Sequence, residues 1–228
     1  MNIITVIPAR GGSKSIPKKN IQLLNGKPLV QYSIDYSLKS SLVDYTIVST
    51  DSDEIAKISM KCGAKVPFLR PKEFAEDDTP DYPVIKHAID TLEEFKKKII
   101  DVVILLRPTS PLRPPNLIEM GIDLLKRFPK ATSIRSVTKT KEHPFRQWQK
   151  NGNYIRGFEK SIDEPYNLPR QKLPEIYFQT GDIEIIKRNT LISGSISGEN
   201  VMPLLIDHSS MLDIDEISDL EFANKKFS

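Results

Sequence analysis

The sequence predicts an α/β protein built on a mainly parallel sheet with helices on both faces. Short β-branched runs recur up to Val137, and amphipathic stretches of helix length fill four of the intervals between them. The chain is also ordinary in bulk: of its 228 residues, 39% are apolar and 28% charged, which suits one globular domain.

The runs are Ile3–Ile7, Tyr45–Ser49, Lys65–Leu69, Val102–Leu106 and Thr132–Val137, each about as long as a typical strand. The helical stretches are Leu29–Leu38, Glu54–Cys62, Tyr82–Phe95 and Asn116–Arg127. Alternation of this kind gives right-handed βαβ crossovers. Ligands of such sheets bind beyond the carboxyl ends of the strands, so the loops after Ile7, Ser49, Leu69 and Leu106 are where chemistry belongs. After about residue 138 the pattern changes. Asn151-Gly152 signals a hairpin between Gln147–Gln149 and Tyr154–Phe158, and Pro165, Pro169 and Pro174 punctuate an irregular stretch. Strand character returns at Tyr177–Ile186 and Met202–Ile206. Residues 139–180 therefore form an excursion, either a lid or an oligomerisation arm, inserted in a single domain spanning 1–228.

Composition removes several function classes. With 33 Lys and Arg against 30 Asp and Glu, the net charge is only +3, which argues against a surface made for nucleic acid. No apolar run approaches the roughly 20 residues that span a bilayer, so no membrane partner is expected. A lone cysteine, Cys62, cannot form an internal bridge and fits a reducing compartment. The opening residues Met1 to Pro8 read as a first strand, not a signal peptide, and a cytoplasmic protein is expected.

The loop Ile7-Pro-Ala-Arg-Gly-Gly-Ser-Lys-Ser-Ile-Pro-Lys-Lys-Asn20 follows the first run. It gathers Arg10, Lys14, Lys18 and Lys19 around Gly11-Gly12, whose backbone can approach a ligand closely. Cations and backbone N–H groups together suit a polyphosphate. The loop is neither a Walker A loop nor a Gly-x-Gly-x-x-Gly turn, and by composition alone a solvated basic loop remains the alternative. Asp213 and Asp215, two apart on an extended segment, point to one side and could hold Mg²⁺; a cap or turn is the other reading of such a pair. Asp51, three residues before Glu54, reads as a cap for the following helix.

The loop closely resembles the signature of the acylneuraminate cytidylyltransferases, the CMP-sialic acid and CMP-nonulosonic acid synthetases. Leu105-Leu-Arg-Pro-Thr-Ser-Pro-Leu-Arg113 is similar to that family's Leu-Leu-Gln-Pro-Thr-Ser-Pro-Leu-Arg, and Leu212-Asp-Ile-Asp-Glu-Ile-Ser-Asp-Leu220 to its Asp-Ile-Asp segment. The three motifs lie in the family's order and span nearly the whole chain. The resemblance implies a Rossmann-like nucleotidyltransferase fold with a protruding arm that makes a homodimer. It implies transfer of CMP from CTP to an acidic nine-carbon sugar, giving pyrophosphate, with Mg²⁺ for which Mn²⁺ substitutes. Arg10, Gly11, Ser13, Lys14, Lys19, Asn20, Arg70 and Thr79 would then bind the nucleotide. Arg107, Thr109, Ser110, Thr180 and Gly181 would face the sugar, with Arg146 and Arg170 reaching it across the dimer. Asp213 and Asp215 would hold the metal and, with Arg10 and Lys19, carry catalysis.

The anomeric hydroxyl needs a proton acceptor, and no histidine is an obvious one: His87 falls in a helix, His143 beside Pro144, His208 in a loop. Cys62 before Gly63 reads as a small core residue at a helix end, Lys96-Lys97-Lys98 as a solvated helix terminus, and Trp148 as packing within the arm or across a dimer. The chain departs from the sialic acid pattern at Arg107, where the family has glutamine, at Ser15, where glycine is frequent, and at Thr180-Gly-Asp-Ile-Glu184, which replaces Asn-Gly-Ala-Ile-Tyr. An arginine gained with two acids suggests a compensating ion pair, or an arginine that grips the sugar carboxylate. Either points to a nonulosonic acid other than N-acetylneuraminic acid, such as a deaminated or diacetamido relative. The competing functions are activation of another acid such as a 3-deoxy-octulosonate, a metal-dependent glycosyltransferase using Asp-x-Asp, and a nucleotide-binding module without chemistry.

Overall fold

The computed structural model describes residues 1–207 and 212–227; His208 lies outside them. Strand β1 (Ile3–Pro8) sends Ile3 and Ile7 to one core and Ile4 and Val6 to the other, the two-residue period of a strand buried on both faces. After its loop come a short ladder of β2 (Leu23–Leu24) with β3 (Lys27–Pro28), then α1 (Leu29–Leu38), β4 (Tyr45–Ser49) and α2 (Asp53–Lys61). The chain continues through α3 (Asp81–Lys96), β5 (Val102–Leu105), α4 (Leu117–Arg127) and β6 (Ser133–Lys139), the expected alternation. The arm hairpin, β7 (Trp148–Asn151) and β8 (Tyr154–Gly157), precedes β9 (Tyr177–Lys187), α5 (Arg188–Ile192), β10 (Val201–Leu205) and α6 (Ile217–Phe227).

The six-stranded sheet has the order β10-β6-β9-β5-β1-β4. β1 is parallel to β4 and β5, and β10 to β6, while β9 alone runs antiparallel, between β5 and β6. Helices α1, α2 and α4 pack on the face of Ile3 and Ile7, and α3 with α5 on the other. A smaller cluster joins Ile16, Leu24, Leu29, Ile214 and Ala223, docking α6 and the segment before it onto the first loop. No helix among the described residues is long and apolar enough to cross a membrane.

The expected strand at Lys65–Leu69 does not form. Only Lys65 bridges to β4, donating to the Thr46 carbonyl at 2.8 Å and accepting from Val48 N–H at 3.0 Å. Pro67 has no N–H to carry the ladder further. Cys62 caps α2 half-buried before Gly63, which takes φ +95°, and burial pushes its thiol pKa up.

β6 and β9 frame the arm, their outermost pair being Lys139 with Tyr177. Their register breaks inside the sheet: Arg135 faces Glu184, whereas Val137 faces Gln179, so residues 180–183 leave the ladder. The Ser136 hydroxyl fills that gap, accepting from Ile183 N–H at 3.1 Å and from the Thr180 hydroxyl at 2.9 Å. Beyond the frame, Trp148 stacks on Tyr166 with ring centroids 4.3 Å apart, while Tyr154, Ile155 and Phe158 stand in the open, Tyr154 at 79% exposure.

Candidate active site

The first loop is held by its backbone and leaves its cations free to face outward. Gly11 N–H donates to Asp51 Oδ1 at 2.8 Å, Asn20 Nδ2 donates to the Arg10 carbonyl at 2.9 Å, and Ile16 is sunk in the small cluster. Asp51 is therefore a loop anchor and not the helix cap expected of it. The cap of α2 is Ser52, whose hydroxyl accepts from Ile55 N–H at 3.4 Å. A Cβ at position 11 would sit 3.1 Å from Ser52 Cβ, tighter than ordinary contact, so any larger residue there must push Ser52 aside.

A cavity of about 460 Å³ opens at the carboxyl ends of β1 and β5. The loop lines it with Arg10, Ser13, Lys14, Lys19 and Asn20, and Arg70, Thr79, Arg107 and Thr109 close it from the other sides. Each loop cation has a carboxylate partner: Arg10 Nη1 lies 2.8 Å from Asp77 Oδ1, Lys14 bonds the other oxygen of Asp77, and Lys19 Nζ lies 3.0 Å from Asp215 Oδ1. The bond from Lys14 holds the Asp77 carboxyl below its usual range. Asp77 and Asp215 stand toward solvent, where such pairs are weak, so an incoming triphosphate can displace them. Asp77 is not among the residues the sequence picks out, although it lies in the acidic run Glu76-Asp77-Asp78 that begins six residues after Arg70.

Arg70 is buried and already engaged. Its Nε donates to Ser49 Oγ at 3.1 Å, its Nη1 to the Phe74 carbonyl at 3.2 Å, and its Nη2 to the Ser49 carbonyl, tying the end of β4 to the cavity rim. Burial brings its pKa down to about 10.

The Asp-x-Asp pair, from the far end of the chain, does not line the cavity itself but lies against two residues that do, Asp215 against Lys19 and Asp213 against Thr109. Ile214 is fully buried and its N–H donates to the Thr109 carbonyl at 2.8 Å, which leaves Asp213 and Asp215 flanking it at the loop. Asp213 is exposed as a residue, yet the protein packed against its carboxyl holds it above the usual range; the Thr109 hydroxyl bonded to it pulls the other way, and neighbouring Asp215 pushes it up again. Two hard carboxylates beside a phosphate loop fit Mg²⁺, which takes one or two carboxylates and completes its shell with water and substrate oxygens. Among the described residues no three His, Cys, Asp or Glu side chains converge, so the chain offers no all-protein cage.

Past the end of β5, Arg107 pairs with Glu184 at 2.7 Å, the compensating ion pair expected from the sequence. Asp182 does not share it. The break at residues 180–183 turns Asp182 toward Arg113, whose Nε donates to the Asp182 carbonyl at 2.6 Å. The carboxyl of Asp182 is buried, which raises its pKa, and its Oδ2 has no hydrogen-bond partner. Thr180 is buried on Ser136, and Gly181, at φ +75°, brings the backbone against Ser110, where a Cβ would lie 3.4 Å from Ser110 Oγ.

Arg146 and Arg170 are not brought to the cavity within one chain. They donate to the carbonyls of Leu168 at 2.9 Å and Thr140 at 3.2 Å, inside the arm. His143 is buried there too, accepting from Phe145 N–H at 3.2 Å, and His87 lies against Phe68 and Phe74, where burial lowers its pKa. Neither lines the cavity.

Loop cations at the carboxyl edge of a mostly parallel sheet, facing a pair of aspartates, define a nucleotidyltransferase of the α/β class. The family profile described as cytidylyltransferase matches residues 4–201. The chain belongs to the cytidylyltransferase family. It is 36% identical to the CMP-N,N'-diacetyllegionaminic acid synthase of Legionella pneumophila, covering 99% of this chain and 96% of that protein. It is 30% identical to the pseudaminic acid cytidylyltransferase of Campylobacter jejuni, over 98% and 95% of the two chains. In fold it matches a CMP:2-keto-3-deoxy-manno-octonic acid synthetase solved with CTP, with TM-score 0.74 at 17% identity over 100% of this chain and 98% of that one.

Proposed function

We propose that this cytidylyltransferase joins CMP from CTP to the anomeric hydroxyl of a nonulosonic acid, releasing pyrophosphate, with Mg²⁺ as its metal. One observation supports the reading: Lys19, which lines the cavity, pairs with Asp215, 196 positions away, so that the loop cations and the aspartate pair stand side by side. The sugar oxygen attacks the α-phosphorus, the bond to the β-phosphate oxygen breaks, and the hydroxyl proton passes to Asp213 or Asp215. Arg10, Lys14 and Lys19 stabilise the charge that grows on the departing pyrophosphate. A bound divalent ion would neutralise the triphosphate and acidify the sugar hydroxyl. Arg70 and Thr79, on the opposite wall, hold the nucleoside end. The 36% identity to a CMP-N,N'-diacetyllegionaminic acid synthase supports a diacetamido acid as the acceptor. A cytoplasmic setting belongs to the same reading, since a lone half-buried thiol suits a reducing compartment.

Pyrophosphate release measured with each of the four nucleoside triphosphates and a panel of acidic sugars tests it. CTP with a nonulosonic acid should be the productive pair; a preference for 3-deoxy-octulosonate, or for a triphosphate other than CTP, overturns it.

The arm supports a homodimer as part of the proposal. Tyr154, Ile155 and Phe158 leave large apolar side chains exposed on and beside the arm hairpin, surface that a second copy would cover, and Arg146 and Arg170 do not line their own chain's cavity. Sedimentation is expected to give a dimer at micromolar concentration, and Arg146→Ala or Arg170→Ala to raise the sugar KM more than that of CTP. A fully active monomer would contradict this.

A further inference from the structure

Four charged side chains meet at the end of β5, and the chemistry above does not use them. Arg107 Nη2 pairs with Asp81, Arg107 Nη1 lies 2.7 Å from Glu184 Oε1, and Glu184 Oε2 lies 3.1 Å from Arg135 Nη2. Glu184, at the centre, is 1% exposed. Gln179 braces the group, donating to Glu184 Oε1 at 3.2 Å and accepting from Arg135, whose Nη2 also donates to Ser197 Oγ at 2.8 Å. Two guanidiniums and two carboxylates leave no net charge. Burial alone would lower the Arg107 pKa, but Glu184 and Asp81 outweigh it and hold it above its ordinary value.

A guanidinium held by two carboxylates cannot also become the counterion of a ligand carboxylate without breaking a pair and leaving Glu184 buried beside one arginine fewer, which is costly. Arg107 nevertheless lines the cavity, between Asp81 and Thr109. It is a wall fixed in place, and it joins the two halves of the site. Asp81 opens α3, two residues after Thr79 on the nucleotide side, and Glu184 lies on β9 just past Thr180-Gly181.

We propose that Arg107, held by Asp81, Glu184 and Arg135, determines which acidic sugar is accepted by meeting an uncharged substituent, an acylamino or hydroxyl group, and not the sugar carboxylate; this rests on the reading of the chain as an activator of nonulosonic acids. A fixed donor of this kind discriminates by the position of the group it meets, because a misplaced partner leaves buried polar atoms unpaired. Glu184, Arg135 and Asp81 are positioning residues that act through it.

The test compares kcat/KM with CTP for N-acetylneuraminic acid and for diacetamido and deaminated nonulosonic acids, in the wild type, Arg107→Gln, and Arg107→Gln/Glu184→Gln. The single variant should melt lower than wild type, since Glu184 stays buried with less positive charge beside it, and the double variant should recover most of that loss. In the double variant the ratio of kcat/KM between diacetamido and N-acetylneuraminic acid should shift by ~10-fold or more, carried by KM. Arg107→Lys should not restore the ratio, because lysine lacks the planar fork. A uniform loss across all acids, with the ratio kept, would mean that Arg107 grips the carboxylate and overturns the proposal, as would a double variant with parental values. A wild type that activates no nonulosonic acid overturns the substrate reading itself, and that is seen before any variant is made.

Discussion

Lys19→Ala is expected to lower kcat by about 10²–10³-fold, the usual cost of removing one group that stabilises transition-state charge, while the protein melts within about 4 °C of wild type. The second half follows from the first structure-level fact about the residue. Among the described residues its one ion-pair partner is the largely exposed Asp215, and a pair open to water on that side adds little even though the Lys19 side chain is itself 14% exposed; for a chain of this length 1 kcal/mol moves the melting temperature by about 2–4 °C. The backbone of the loop is held independently by Asp51, Asn20 and Ile16. Pyrophosphate release and a thermal melt on the same preparation check both halves. A near-normal kcat would remove Lys19 from the machinery; a collapse in melting temperature would make it structural.

Asp213→Asn and Asp215→Asn should each remove Mg²⁺-dependent turnover, by about 10³-fold or more given the several kcal/mol a metal contributes to charge stabilisation. Two carboxylates set either side of Ile214 repel each other in the absence of a cation, so neither substitution should destabilise the fold. Mn²⁺ should support at least part of the wild-type rate, since it accepts the same hard oxygen ligands. Full activity in excess EDTA would refute a metal role for the pair.

Much of the fold was legible because its signal is periodic. β4 and α1 occupy the residues the sequence assigned to them, and β1 and β5 differ by one at an end, since strands buried on both faces and an amphipathic helix announce themselves in apolar spacing. Lys65–Leu69 failed because its apolar content outweighed Pro67 in the reading, whereas in the sheet one missing N–H decides the matter. The site divided along the same line. Loop residues contiguous in sequence, from Arg10 to Asn20, arrive together, and the Arg107–Glu184 pair was foreseeable as a matched gain of opposite charges. The partner of Asp182 was not, because it depends on the register break opposite Ser136, which no local pattern encodes. Asp81 and Arg135, which complete the Arg107 cluster, and Asp77, which holds Arg10 and Lys14, were missed because polar residues at loop and helix ends look alike until the fold sets them face to face.

The docking of Ile214 against Thr109 has a consequence for the order in which the enzyme is made. Domains form as units from the N-terminal side during synthesis. The cationic loop and its strand precede the rest of the sheet along the chain, and the parallel neighbours of β1, β4 and β5, are complete by residue 105. The carboxylates that answer the loop enter only when residues 213–215 leave the ribosome, and they settle only when Ile214 and Ala223 close the cluster with Ile16, Leu24 and Leu29. The pairing of Lys19 with Asp215 thus rests on a handful of apolar contacts made far along the chain from the loop they complete.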